Sequence, residues 1–337
     1  MSDLVSVLIS AYNQENFIEQ TIRSFMAQTY ADIELIVLDD GSKDKTFDKI
    51  CALRAECEKR FVRFVAETQQ NEGYNATLRR LFAMAGGKFV YLSGADDIAY
   101  PDAIAVQAGF LSAHEEYAAA VGAAHIIDDS SHKIAWDKKR RAVFTGSKGA
   151  FDTVTGYYRH KRRDVDFYSD SFGSYASLLK GNYIAGGFLA RKDALGSAML
   201  LQDDLNAEWF LHLQIAKEGK YKFIDAPQSA LRWHGARSLK RDWKTRLQDE
   251  KTLFYEADLL CQIADDVHCD AYADFLENGN KKTLFRLGGC IELYRQKFCL
   301  QKCTVLKIGA HLLPLGRKSA KSLRFLQECV EQCRHPV

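Results

Sequence analysis

The sequence predicts an α/β fold with an open, mostly parallel central sheet and a helical C-terminal extension. Three observations carry this expectation. Short runs rich in β-branched and aliphatic residues alternate with stretches of helical spacing. Each of these runs empties into a polar loop rich in Asp, Asn, Ser and Gly. Beyond "RWHGARS" the alternation stops and only helical spacing continues.

The elements follow in order. "VSVLI" (5–9) is a strand, "SAYNQEN" its loop, and Phe17, Ile18, Ile22, Phe25 and Met26 mark the apolar face of a helix. "IELIVL" (33–38) leads through "DDGSKDKT" into a helix over 47–60. "RFVAE" leads through "TQQNEGYN" into a helix over 76–85, and "FVYLS" through "GADDIAY" into a helix from Pro101. Such alternation argues for parallel strands covered by helices on both faces. A further strand spans about 119–127. The stretch 128–180 is polar, basic and aromatic, with "KKRR" at 138–141 and "RHKRR" at 159–163, and shows no clear period. After the glycine-flexed "GNYIAGGFLARKDAL" come a helix over 206–217, a strand, and the strand "SALRW". A boundary near residue 240 separates a domain over 1–240 from a helical extension over 241–337, in which Leu253, Phe254, Ala257, Leu260, Cys261 and Ala264 form a stripe.

With 47% hydrophobic and 27% charged residues, the chain has the composition of a packed protein, which excludes disorder. Its net charge of +2 conceals an asymmetry: seven Lys and Arg and no acid fall between Lys297 and Arg324, leaving −5 for the remainder. A basic, apolar stretch of this kind suits an anionic membrane surface, or a helix pair packed on the rest of the protein. "MSDLVSVLIS" lacks the features of a secretory signal, and no run of 18 uncharged apolar residues occurs. Nine cysteines without paired CxxC spacing are expected as reduced thiols, so the expected location is cytoplasmic, peripheral to the inner face of the membrane if the basic segment binds there.

In an open α/β sheet, ligands bind beyond the carboxyl ends of the strands. Ala11 to Asn13, Asp39 to Ser42, Asn71 to Gly73, and Asp96 with Asp97 all follow strands, so they are expected on one edge. Neither GxGxxG after the first strand nor GxxxxGK[ST] occurs, which removes the common glycine-rich nucleotide signatures. An acid such as Asp39 can accept a hydrogen bond from the imide N–H of a uracil-type base, with Tyr12 flanking the ring; "DDGS" also suits a plain turn and helix cap. Adjacent carboxylates at a strand end repel each other, so Asp96 and Asp97 are either a solvated turn or a site completed by a cation or a hydroxyl-rich ligand.

The ordered set "VSVLISAYNQENFIEQTIRSFMAQTYADIELIVLDDGSKDKT" and "NEGYNATLRRLFAMAGGKFVYLSGADDIAYPD" resembles the family 2 glycosyltransferases with the GT-A fold. The resemblance is strong over about 4–105 and moderate over 180–238. It implies that Asp39 reads the nucleotide base beside Ala11 and Tyr12, with Asn71 and Gly73 also on the nucleotide side. Asp96 and Asp97 match the family's DXD element, Asp96 being assigned to the ribose and Asp97 to a Mn²⁺ or Mg²⁺ ion, roles that can be exchanged. The first acid of that element is missing, since Ser93, Gly94 and Ala95 precede the pair. Glu208 falls where the family places an aspartate base, with Asp204 as the fallback, and His234 matches a late "HG" histidine near the metal. Arg79, Arg80, Arg237 and Lys240 are candidate phosphate contacts.

The resemblance thus implies an inverting, metal-dependent transfer from a nucleotide-sugar, expected to be a UDP-sugar, to a hydroxyl of a glycan or lipid-linked saccharide of a surface polysaccharide or lipopolysaccharide. A non-catalytic sugar-nucleotide-binding subunit of the same fold is the alternative. A nucleotidyltransferase is disfavoured because its glycine-rich N-terminal loop is absent. No nucleic-acid-binding motif accompanies the basic runs, so an acceptor-binding role for them is expected rather than nucleic-acid binding.

Overall fold

The computed structural model describes residues 2–234 together with 248–249, 251–252 and 255–256. By its internal contacts the chain divides into two units, Met1–Thr245 and Arg246–Val337. The description below concerns the first. The stripe expected over 253–264 lies almost wholly outside the described residues, and the basic segment from Lys297 to Arg324, Arg237 and Lys240 lie entirely outside them.

The first unit runs β1 (Val5–Ala11), α1 (Ile18–Met26), β2 (Ile33–Asp39), α2 (Thr46–Ala52), α3 (Arg54–Arg60), β3 (Arg63–Thr68), α4 (Tyr74–Met84) and β4 (Phe89–Gly94). It continues through β5 (Ile98–Ala99), α5 (Ala103–Ala113), β6 (Tyr117–Ile127), β7 (Lys133–Trp136), β8 (Ala142–Val143), α6 (Val154–Lys161) and α7 (Tyr175–Leu178). It closes with β9 (Phe188–Arg191), a 3₁₀ segment Asp193–Leu200, α8 (Ala207–Glu218) and β10 (Lys220–Arg232).

The sheet order is β3-β2-β1-β4-β9-β6-β10-β5, with β7 and β8 attached beside β6. β3, β2, β1 and β4 are mutually parallel, as are β6 and β10. β9 lies antiparallel between β4 and β6. Every residue of β2, and all of β1 but Ser10, is buried. This explains why their runs are mostly apolar: a parallel strand covered by helices has no solvent face. α1 buries Ile18, Thr21, Ile22 and Phe25, the side of the helix that faces the sheet.

At the amino ends of β1 and β2, opposite the expected site, the buried Glu34 gathers donors. It accepts from Ser6 Oγ at 2.5 Å, Gly86 N at 2.5 Å, Gly87 N at 3.1 Å and Arg63 at 2.9 Å. Burial favours its neutral form, but the bonds from Ser6, Gly86 and Arg63 outweigh this and hold its pKa below the usual range. Gly87 is required there, because a Cβ would stand 2.7 Å from Leu4 O and Ser6 N.

Several local outcomes differ from the periodicity. The helix expected over 47–60 is two, broken at Leu53, where ψ is −2° and the backbone leaves the helical path for one residue. The two late strands are one thirteen-residue strand, β10, whose register slips around Pro227. Proline supplies no ladder N–H, so it is accommodated at such an irregularity. The glycine-flexed segment supplies β9, and the stretch without a clear period holds β7, β8, α6 and α7.

His212 of α8 is buried, its Nδ1 2.9 Å from the Tyr221 hydroxyl and its ring against Phe188. Burial pushes its pKa from 6.5 down to about 3. Between those values the unfolded chain binds a proton that the folded chain does not. Stability therefore rises with pH through this window, and as pH falls below 6.5 it is lost at up to about 1.4 kcal/mol per pH unit. Urea midpoints measured from pH 7 to 5 are expected to fall less steeply in His212→Gln than in the parent; equal slopes would contradict the assignment.

Among the described residues, no helix is long and apolar enough to cross a membrane.

Candidate active site

The carboxyl ends of β1, β2 and β3 align Ala11 with Asp39, and Asp39 with Thr68. Asp39 is buried and accepts from Ser42 N at 3.2 Å, from Ser42 Oγ, and from Thr68 Oγ1 at 2.8 Å. Its carboxylate therefore shapes its own loop, and a ligand N–H must share it. Asn13, in the left-handed region at φ 52°, locks the first loop to the second: its N–H reaches Ser42 Oγ at 2.9 Å and its Oδ1 accepts from Lys43 N at 2.8 Å. Tyr12 stands 47% exposed beside this lock, free to flank a planar group.

Asp40, which sequence reasoning passed over, latches the next loop. Its Oδ1 accepts from Glu72 N at 2.9 Å and Gln69 Nε2 at 2.9 Å, and its Oδ2 from Gly73 N at 2.9 Å. Asn71 is exposed, and its backbone packs close over Gly41. The structure thus gives the 69–73 loop a bracing role around these two residues.

The acidic turn after β4 forms the second half of the edge. Asp96 Oδ2 lies 2.7 Å from His234 Nε2, and His234 Nδ1 lies 2.8 Å from Asp129 Oδ1. Burial disfavours the imidazolium, but bonds to the Asp96 and Asp129 carboxylates prevail and raise the histidine's pKa. Asp97 turns away from this histidine, its Oδ1 accepting from Arg232 N at 2.9 Å. Burial, then the charge of Asp96, holds its carboxyl well above the usual range. Gly94 allows both acids to fold back, since a Cβ there would meet Asp96 Oδ1 at 2.8 Å and Asp97 Oδ2 at 3.0 Å.

Arg232 ties these parts together. It is buried, its Nε donates to Asp96 O at 2.9 Å, and its terminal nitrogens reach Asp128 O at 2.7 Å, Ser131 Oγ at 3.1 Å and Gln20 Oε1 at 2.8 Å. Its guanidinium also lies 4.5 Å from the Phe17 ring centre. One cation thus fixes α1, the turn after β4, the turn after β6 and the end of β10. Sequence reasoning used this arginine only as context for the histidine.

Glu208 enters from α8. Asn206 caps that helix by accepting from Trp209 N at 3.2 Å, which leaves Glu208 in the first turn. Upstream, Asn75 Nδ2 donates to Gln202 O at 2.7 Å and Leu205 O at 2.9 Å, while Arg79 donates to Leu201 O and pairs with Asp203 at 2.8 Å. Asp204 lies in the turn just before α8. Arg79 is therefore a brace for this turn, and Arg80 pairs with Glu67 at the surface.

Glu208 and Tyr74 keep solvent access, yet protein surrounds both closely enough to desolvate them. Desolvation, then the charge of Asp96, raises the Glu208 pKa. The Tyr74 hydroxyl, missed in the sequence, is raised by desolvation and by Glu208, Asp97 and Asp96 together. Asp96, Asp97, Glu208 and His234 are thus in one electrostatic neighbourhood, at the strand edge shared with Asp39. Asp129 was also missed, although "DD" directly after a strand is the signal that singled out Asp39 and Asp96.

No group of three or more His, Cys, Asp or Glu among the described residues could hold a metal ion by itself. Asp96 and His234, 2.7 Å apart, are of the residue types that could hold a divalent ion if ligand oxygens and water supplied its other positions. Asp129, on the far ring nitrogen, fixes the orientation of the His234 ring, as an outer partner would for a ligating histidine.

Residues 6–179 match the family model described as glycosyl transferase family 2. An uncharacterized glycosyltransferase of Rickettsia prowazekii is 33% identical over 141 residues, 40% of each chain. One of a Nostoc species is 35% identical over 97 residues, 29% of each chain. The matched stretches therefore span less than half of these relatives. Among solved structures, S. aureus TarS 1-349 in complex with UDP-GlcNAc superposes with a TM-score of 0.54 at 12% identity, covering 87% of this chain and 81% of that one. A further crystal structure of S. aureus TarS 1-349 gives 0.52 at 13%, covering 90% and 77%. The shared fold is that of the GT-A glycosyltransferases, and with the family model spanning more than half of its length, the chain belongs to glycosyl transferase family 2.

Proposed function

We propose that the protein transfers a sugar from a nucleotide diphosphate donor, with a UDP-sugar as the leading class, to a hydroxyl of a glycan or lipid-linked saccharide. The observation that carries this is the meeting of Asp96 with His234 beside Glu208, on the strand edge that also presents Asp39 and Tyr12. In this reading Asp39, Ala11 and Tyr12 receive the base, and Asp96 and His234 are the residues that would hold Mn²⁺ or Mg²⁺. The bound ion supplies Lewis-acid stabilisation of the charge that gathers on the leaving diphosphate. Asp97, whose Oδ1 is held by Arg232 N, serves better as a support for its neighbour than as the ligand itself.

Glu208 takes the proton of the acceptor hydroxyl as that oxygen attacks the anomeric carbon. Its raised pKa makes it a stronger base than an ordinary carboxylate and sets the direction of the pH profile: turnover falls as acid protonates it, above the usual glutamate range. A single base opposite the leaving group gives direct displacement with inversion. The proposed setting is the assembly of a surface polysaccharide or lipopolysaccharide on the cytoplasmic side of the membrane, with the basic segment from Lys297 to Arg324 touching anionic lipid.

UDP release from a panel of UDP-sugars, with Mn²⁺ or Mg²⁺ and a saccharide acceptor, tests the reading. Metal-stimulated release and a product of inverted anomeric configuration by NMR are expected. Release without metal, or a retained configuration, would overturn the metal role or the displacement mechanism respectively. Failure of every nucleotide-sugar to bind would favour an assembly protein of the same fold.

A further inference from the structure

Among the described residues, a strongly basic surface that the proposed reaction leaves unused lies between β6 and α7. Residues 130–163 carry ten Lys and Arg against two Asp. The fold brings the two basic runs of this segment together. Trp136 and Phe151 exchange backbone hydrogen bonds of 2.9 and 2.8 Å, which sets the 137–141 turn beside α6. Both flank Tyr157: the Arg140 guanidinium is 5.9 Å from its ring centre and the Lys161 ammonium 5.5 Å. His160 lies within the cluster, its pKa lowered by desolvation and then by Arg163, Lys138 and Lys161.

Lys138, Lys139, Lys148, Arg159, Lys161 and Arg163 are exposed, and none is ion-paired among the described residues. By contrast Arg141 is held by Asp137 at 2.6 Å and Arg162 by Asp164 at 3.1 Å. Directly after β8, Phe144 is 89% exposed, an apolar ring with no polar handle. Tyr168, 58% exposed, lies under the Arg159 guanidinium at 4.9 Å.

We propose that this face docks on a bilayer carrying anionic headgroups, with the cations in the headgroup layer and the Phe144 ring in the interface. Charge complementarity supplies the attraction, and an exposed phenyl ring gains by leaving water. A polyanionic glycan or nucleic acid fits less well, because Trp136, Tyr157 and Trp233 are buried and Tyr168 is covered by Arg159 and bonded to Asp225, which leaves Phe144 without a second open ring to form a stacking platform. Trp233, between Arg232 and His234, packs on Trp136 with ring centres 4.7 Å apart and lies 5.0 Å from the Arg140 guanidinium. Docking through the hairpin therefore holds the cleft close to the bilayer.

The test is flotation of the full chain with phosphatidylcholine vesicles containing or lacking phosphatidylglycerol. The parent is expected to float with the anionic vesicles only. Lys138→Glu with Lys139→Glu is expected to lower partitioning by about tenfold or more, and Phe144→Ser by about tenfold, with unchanged thermal midpoints showing that both variants fold. Parent flotation indifferent to phosphatidylglycerol would overturn the proposal. So would undiminished flotation of both variants, which assigns binding to the segment from Lys297 to Arg324 instead. A raised KM for a soluble phosphate-bearing acceptor without loss of flotation would also overturn it, and would make the face an acceptor site.

Discussion

Glu208→Gln is expected to reduce turnover by about 10²–10⁴-fold, the contribution of a positioned general base. Donor affinity should stay within a few-fold of the parent, because the side chain lies on the acceptor side of the proposed reaction. The substitution keeps the size of the group and its place in the first turn of α8, so the Asn206 cap and the bracing from Asn75 and Arg79 remain. Single-turnover kinetics beside equilibrium binding separate the two quantities. A variant that turns over like the parent would move the base elsewhere, with Asp204 the next residue to replace.

Arg232→Ala is expected to cost about 3–5 kcal/mol of stability, the range for removing one partner of a buried charge cluster. Four acceptors each lose one bond at once, Asp96 O, Asp128 O, Ser131 Oγ and Gln20 Oε1, although Ser131 still donates to Asp128 O and Gln20 Oε1. Asp96 and Asp97 also lose the cation that offsets their mutual repulsion. The backbone N–H of residue 232 survives the change, so the bond to Asp97 Oδ1 is retained. Urea unfolding gives the comparison directly, and a loss below about 1 kcal/mol would show that the four acceptors find water instead.

The opening strand–loop–helix units were legible because β1, β2 and β4, buried along almost their whole length, leave mostly apolar runs, and the half-buried β3 repeats the same strand–loop–helix spacing. Loop chemistry was legible for a related reason. An acid pair where such a run stops, as at Asp39 and Asp40 or Asp96 and Asp97, has to be accounted for by something other than the core. What periodicity lacked was any view of the crossing partners. β9 is four residues long, directly after two glycines, and joins β4 to β6, so its antiparallel insertion leaves no pattern in the sequence. Leu53 continues the helical spacing while its backbone breaks the helix. Arg79 and Arg80 look alike as cations near a ligand edge, yet one braces the entry to α8 and the other pairs with Glu67. Arg232 and Asp129 acquire their roles only when β10 and the turn after β6 meet the turn after β4. Those contacts span more than a hundred residues of chain, and no local pattern encodes them.

Titration calorimetry of UDP, with and without Mn²⁺, into the parent protein, Asp96→Ala and His234→Ala tests the central claim most directly. The account predicts that Mn²⁺ tightens UDP binding to the parent by about tenfold or more and that both variants lose this gain while keeping the weaker metal-free affinity. UDP binding that ignores Mn²⁺ in the parent, or a gain that survives both substitutions, would contradict it.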